Sequence, residues 1–191
     1  AGSRSGEISS MMPVFMEFAD KMHVLPRYKD YQFVVAAAPS RSMSDYSSYI
    51  GGRESYVKVV FGQSYAVLRH AEAAVVNSGT ASLETALIGT PQVVAYKSAE
   101  INFLIAKQII KIKYISLGNL ILNRTCFREL LQFYFTPENV LEEVIRMIED
   151  TEYRETMLAG YKEIRDALGG RGASAAVAKA MIEDMRQYMV I

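Results

Sequence analysis

The chain has 191 residues, half of them apolar and 22% charged, with 21 basic residues against 21 acidic ones. That length can bury a real core as one globular, soluble domain, and the charge balance argues against a nucleic-acid partner held by bulk electrostatics. The lone Cys126 excludes an intramolecular disulfide framework and fits a reducing compartment, and no apolar run is long enough to span a membrane.

In chain order, residues 7–25 have helical spacing, with Ile8, Met11, Met12, Phe15, Ala19 and Met22 in one stripe. Pro13 lies inside that pattern and predicts either a kink or a helix beginning near Ser10. The stripe reads as core packing rather than a lipid-binding face. Residues 32–38 read as a buried strand stopped by Pro39-Ser40, and 41–50 as a short polar helix ended by Gly51-Gly52. Strands follow at 56–61, 73–76 and 92–96, with helices at 64–70, 80–88 and 100–110 between and after them. Residues 114–117 predict a last short strand opening into the loop Gly118-Asn119.

Short apolar runs alternating with helices predict stacked βα units: an α/β chain with a Rossmann-like parallel sheet and flanking helices. After 125 the reading is all helix. Thr136 is an N-cap before Pro137, and two more helices cover 151–168 and 173–188, split by Gly169-Gly170-Arg171-Gly172. In the last of these, Ala173, Val177, Ala180, Met181 and Met185 form a packing face.

The segment with most chemistry is Val75-Val76-Asn77-Ser78-Gly79-Thr80-Ala81-Ser82-Leu83-Glu84. A strand, a small-residue turn and a helix start aim backbone N–H groups and a helix dipole at one point, which suits an anion. Gly79 would let a diphosphate approach the backbone, and Glu84 stands one turn on as an acceptor for a sugar diol. Against this, Ser78, Gly79 and Thr80 could simply cap the helix, and Glu84 could be a solvated surface group. A capping box does not account for Glu84, because position 81 is alanine. Arg4 is either a surface arginine or a cation for the diphosphate, while Glu7 supports the first helix turn. Asn119 is either a turn asparagine or a ligand contact at a strand end. His23, His70 and Cys126 have no ligand-spaced partners, so no metal site is expected.

Four segments in order then carry a resemblance: Gly2-Ser3-Arg4-Ser5-Gly6-Glu7-Ile8, Ser78-Gly79-Thr80-Ala81-Ser82-Leu83-Glu84, Pro91-Gln92-Val93-Val94-Ala95-Tyr96-Lys97 and Tyr114-Ile115-Ser116-Leu117-Gly118-Asn119-Leu120. With Arg128-Glu129-Leu130-Leu131-Gln132 and Thr136-Pro137-Glu138-Asn139, the chain resembles the C-terminal half of lipid-A-disaccharide synthase, a GT-B glycosyltransferase. The resemblance implies transfer of 2,3-diacylglucosamine from its UDP derivative to 2,3-diacylglucosamine 1-phosphate, giving the β(1→6) lipid A disaccharide. Residues 1–191 would be the UDP-binding domain, with the lipid acceptor and the catalytic base in an N-terminal domain absent from this sequence. On that reading the chain is inactive alone.

It further implies that Gly2, Ser3, Arg4, Ser78, Gly79, Thr80, Ala81, Glu84 and Asn119 contact the donor, with Arg4 stabilising the diphosphate and Glu84 holding the ribose diol. No cofactor and no metal are implied. The expected setting is cytoplasmic, with room for peripheral contact with the inner membrane; oligomeric state is left open. The final helix, in this fold, often crosses back to the N-terminal domain, which would leave part of it exposed. Two departures stand out: Gly118 where the family has proline, and Leu122-Asn123-Arg124-Thr125 where it has Ala-Gly-Arg-Glu. They predict a looser loop and leave Thr125 without a carboxylate's role. The alternatives are another UDP-sugar enzyme of the same fold, such as a UDP-GlcNAc 2-epimerase, or a stand-alone nucleotide-binding module.

Overall fold

The computed structural model describes residues 1–97, 113–169 and 173–188. The helix expected over 100–110 lies outside the described residues. Helical apolar spacing at the start of the chain becomes α1, Ser5–His23, and the whole expected stripe from Ile8 to Met22 is buried. The helix begins upstream of the expected Ser10 and runs through Pro13. Pro13, which has no N–H to donate to the Ser9 carbonyl, lies on the exposed face of the helix, as does Ser9.

Strands β1 (Phe33–Ala37) and β2 (Val57–Phe61) pair in parallel, Phe33 opposite Val57. A 3₁₀ turn (Met43–Asp45) and the one-turn α2 (Ser47–Ile50) connect them, and Gly51 ends the helix as expected. Helix α3 is Ser64–His70. Strand β3 (Ala74–Asn77), helix α4 (Thr80–Ile88) and strand β4 (Gln92–Tyr96) follow, close to the expected bounds. β4 lies between β3 and a strand β5 (Glu129–Leu131), both parallel to it. The described strands thus form two parallel sheets flanked by helices, the α/β arrangement that the alternating pattern predicts.

Burial separates the strands. Val93, Val94 and Ala95 of β4 are fully buried, as a central parallel strand requires. β1 is only half buried, with Val34 40% exposed, against the expectation of a buried strand. Among the described residues β1 pairs with β2 alone, so it lacks the second strand that encloses β4.

Two further corrections concern the segment after 113. Residues 114–117 form no strand: Ser116 is an extended N-cap, and Leu117–Leu122 is a helix, α5, that contains Gly118 and Asn119. The strand falls instead at Glu129–Leu131, in the stretch expected to be all helix. Gly118 itself is closely packed. A Cβ there would lie 2.8 Å from Phe127 Cζ and 3.0 Å from Ile164 Cδ1, so glycine permits a packed helix that proline's family position did not suggest.

The C-terminal helices form where their signals place them, but the expected packing face of the last one is exposed at Val177, Met181 and Met185. α6 is Pro137–Glu149, with Thr136 Oγ1 accepting from Asn139 N at 3.2 Å, and α7 is Thr151–Leu168, capped by Asp150. α1 packs on α6, and Phe15 meets Phe135 edge-on at 5.6 Å. Each large side chain buried there contributes about 1.5–3 kcal/mol. Asp20 of α1 ties the helix to the start of β2: Arg53 Nε and Nη2 donate to its two carboxylate oxygens, each at 2.6 Å, and the Tyr56 hydroxyl donates at 2.6 Å. Helix α8 (Ala173–Tyr188) leaves Val177, Met181, Ile182 and Met185 at least 50% exposed. No helix among the described residues is long and apolar enough to cross a membrane.

Candidate functional site

The β3–α4 turn ends in a helix start whose N-cap is a glycine. Ser78 N donates to Ala95 O at 3.0 Å, which carries the β3–β4 pairing into the turn and fixes where it begins. Gly79 then adopts φ +147°, a conformation open to glycine and strained for other residues. A Cβ on Gly79 would meet nothing within 4 Å, so the turn faces open space. Gly79 is the N-cap of α4, and among the described residues no side-chain hydrogen bond caps this helix. The hydroxyl of Ser82 points back to Gly79 O at 2.8 Å. Gly79, Thr80 and Ala81 are all exposed. Of the three residues that the capping alternative named, Gly79 takes the N-cap position, without a side-chain hydrogen bond. The helix end presents its N–H groups outward, with the positive end of the dipole behind them.

The start of α1 lies against this turn. Gly2 has φ +86°, and a Cβ there would sit 2.7 Å from Asn77 Nδ2 and 2.3 Å from Glu7 Oε2. Only glycine allows that approach, so the first residues of the chain and the end of β3 come together. Glu7 supports the first turn as expected: its Oε2 accepts from Ser3 N at 2.9 Å and Arg4 N at 3.2 Å. Arg4 Nη1 stands 3.3 Å from Glu7 Oε1, yet the Arg4 side chain is 85% exposed and can swing toward a ligand.

Glu84 follows on α4, partly buried, and accepts from the Tyr65 hydroxyl at 3.1 Å. Tyr65 is exposed on the first turn of α3, just after β2. Its phenol is held protonated by that bond, with its pKa raised. One carboxylate oxygen of Glu84 is thereby oriented, which suits an acceptor for vicinal hydroxyls.

Asn119 departs from the expected setting. It is fully buried in α5, and its Nδ2 donates to Phe127 O and Glu129 Oε1, each at 2.9 Å. Its Oδ1 accepts from Cys126 N at 2.7 Å. The amide braces the 119–129 segment and is not presented to a ligand. Glu129 completes the brace by accepting from Ile115 N and Ser116 N, each at 3.0 Å, and from the Ser116 hydroxyl. His23 stacks on Tyr56 at 4.0 Å, and His70 Nδ1 lies 2.8 Å from Ala66 O. Neither stands among the site residues.

The sequence reading missed two residues beside the site, Tyr65 and Arg41. Each follows a strand closely, and the carboxyl ends of parallel strands are where such sheets place ligands. Polar residues just after β1 and β2 were therefore the usable signal.

Comparison with known proteins shows the family of the chain. The family model described as lipid-A-disaccharide synthetase matches residues 1–181. A lipid-A-disaccharide synthase of Anaeromyxobacter dehalogenans is 33% identical over 186 residues, 97% of this chain and 48% of the relative. One from Trichlorobacter lovleyi is 33% identical over 187 residues, with the same shares. One from Myxococcus xanthus is 36% identical over 182 residues, 95% of this chain and 47% of the relative. The chain spans about half the length of the curated relatives it matches.

Proposed function

This chain belongs to the lipid-A-disaccharide synthetase family, and from that premise we propose that it binds the UDP-sugar donor of a lipid A disaccharide-forming glycosyltransferase. The donor would be UDP-2,3-diacylglucosamine and the acceptor a lipid-linked glucosamine phosphate held by a second domain. The observation that carries the reading is the meeting of two turns, Gly2–Arg4 and Asn77–Ala81, where Gly2 abuts Asn77.

Glycosyl transfer makes the diphosphate a leaving group, and negative charge grows on its oxygens as the glycosidic bond breaks. Donors fixed before the reaction stabilise that charge more than they stabilise the ground state. The N–H groups at the start of α4, its dipole and the exposed Arg4 guanidinium would do this. Glu84, oriented by Tyr65, would accept from the ribose hydroxyls. Asn119 acts behind the site by bracing α5. The family match speaks against the 2-epimerase alternative, and no observation favours a stand-alone binding module.

Titration of UDP and of inorganic pyrophosphate into the chain tests the site. Both are expected to bind and to compete, and Gly79→Ala is expected to weaken both by about tenfold, because alanine resists the backbone angle the turn needs. An absence of UDP binding at millimolar ligand would overturn the reading.

A further inference from the structure

Arg41 follows β1 and lies across the turn that carries Arg4. Its Nε donates to Ser3 O at 2.8 Å, and its Nη1 donates to Ser5 Oγ at 2.8 Å. The two contacts fall on either side of Arg4. Arg41 Nη1 is also 3.9 Å from Asp45 Oδ1, and the side chain is only 23% exposed. Its own backbone is fixed, since Arg41 N donates to Ala38 O at 3.0 Å and Ser42 N donates to Asp45 Oδ2 at 2.9 Å. A hydrogen-bonded loop after β1 therefore holds the Gly2–Ser5 turn from one side, while Asn77 at the end of β3 limits it from the other.

We infer that Arg41 is a positioning residue for the donor diphosphate, acting through the Gly2–Ser5 turn rather than by touching the ligand. The inference rests on the proposed UDP site. Glu7 already holds the amides of Ser3 and Arg4, so what the strap would order is the exposed Arg4 guanidinium and the backbone torsions that aim it. Ordering them at the moment of binding costs affinity, and ordering them beforehand removes that cost. Arginine suits the task because Nε and Nη1 form a planar fork that reaches a carbonyl and a hydroxyl together. Lysine offers the same charge without the fork.

The test measures UDP and pyrophosphate affinities of the 191-residue chain and its variants, with folding of each checked by melting temperature. Arg41→Lys and Arg41→Gln are both expected to weaken UDP and pyrophosphate by about tenfold each, leaving their ratio unchanged, because the strap acts at the diphosphate end. Ser5→Ala, which removes one acceptor and disturbs the fold least, is expected to cost both ligands about threefold. In an Arg4→Ala background the Arg41→Lys effect is expected to fall below twofold, since residues acting through one another do not add. A purely structural Arg41 would lower the melting temperature and leave both affinities alone, which overturns the inference. So would wild-type affinity in Arg41→Lys with loss in Arg41→Gln, which assigns the effect to charge. An undiminished loss in the Arg4→Ala background would overturn it as well. Failure of the unaltered chain to bind UDP would instead bring down the site reading, and this inference with it.

Discussion

Gly160 of α7 and Cys126 are fitted to each other: a Cβ built on Gly160 would lie 2.3 Å from the Cys126 Sγ. Glycine inside a helix ordinarily costs about 0.5–1 kcal/mol relative to alanine. Here the missing methyl group lets α7 close over the thiol, whose sulfur is directed to Met157 O at 3.6 Å.

Gly160→Ala is therefore expected to destabilise the chain by about 1–3 kcal/mol, the usual cost of overpacking, instead of stabilising it. Cys126→Ala should remove the clash, so the double variant should recover most of the loss. Chemical denaturation of the three variants measures this. A Gly160→Ala variant more stable than the parent would show that the helix gives way easily.

The same burial controls the chemistry of the thiol. Loss of solvation pushes the Cys126 pKa up to about 11, so near pH 8 the sulfur stays protonated and non-nucleophilic. Alkylating reagents are expected to leave the native chain unmodified at pH 8 and to label it promptly in denaturant. Mass spectrometry of both samples decides it, and rapid native labelling would contradict the packing.

Glu84→Gln keeps the side chain's size and an acceptor oxygen but removes the charge that strengthens hydrogen bonds to a ribose diol. UDP binding is expected to weaken by about 1–2 kcal/mol, with pyrophosphate binding nearly unchanged. Calorimetry on both ligands gives the answer. Equal losses would move the ribose elsewhere, and no loss would make Glu84 a surface residue.

Asp20 links stability to pH. Hydrogen bonding from Arg53 holds its carboxyl below the ordinary 3.8, and partial burial opposes that shift. The folded state thus favours ionised Asp20, so its contribution is full above the unfolded value and is lost as pH falls through the lower, folded one. Asp20→Asn is expected to cost about 1 kcal/mol at pH 7, a figure kept small because the pair is partly solvated. The gap between variant and parent should close as pH drops below the usual carboxylate range. Denaturant midpoints measured from pH 7 downward test it, and a constant gap would refute the linkage.

The sequence was most legible where punctuation was strong. Gly62 precedes α3, Gly79 and Gly89 bracket α4, Pro91 precedes β4, and Thr136-Pro137 marked α6. β5 escaped because Glu129-Leu130-Leu131 is short and made of good helix formers; its strand form comes from pairing with β4. Asn119 was misplaced for a similar reason. Its partners Cys126, Phe127 and Glu129 arrive only when the chain folds back, and local spacing carries no trace of them. The residue types of the site were visible in the two turns. Their adjacency was not, because it depends on Gly2 meeting a residue at the far end of β3.

The two helix ends that meet here are unlike in one respect that would give a bound diphosphate a direction. At α1 the Glu7 carboxylate already occupies the amides of Ser3 and Arg4, a plugged socket carrying its own anion. At α4, among the described residues, no side-chain hydrogen bond fills that place. A diphosphate has two phosphate groups of different fate, one bonded to the nucleoside and one to the sugar. It would be seated at α4 and repelled at close range by Glu7. The opposed end would be served only by a movable arginine, so polarity, more than shape, would decide which way round a nucleotide enters.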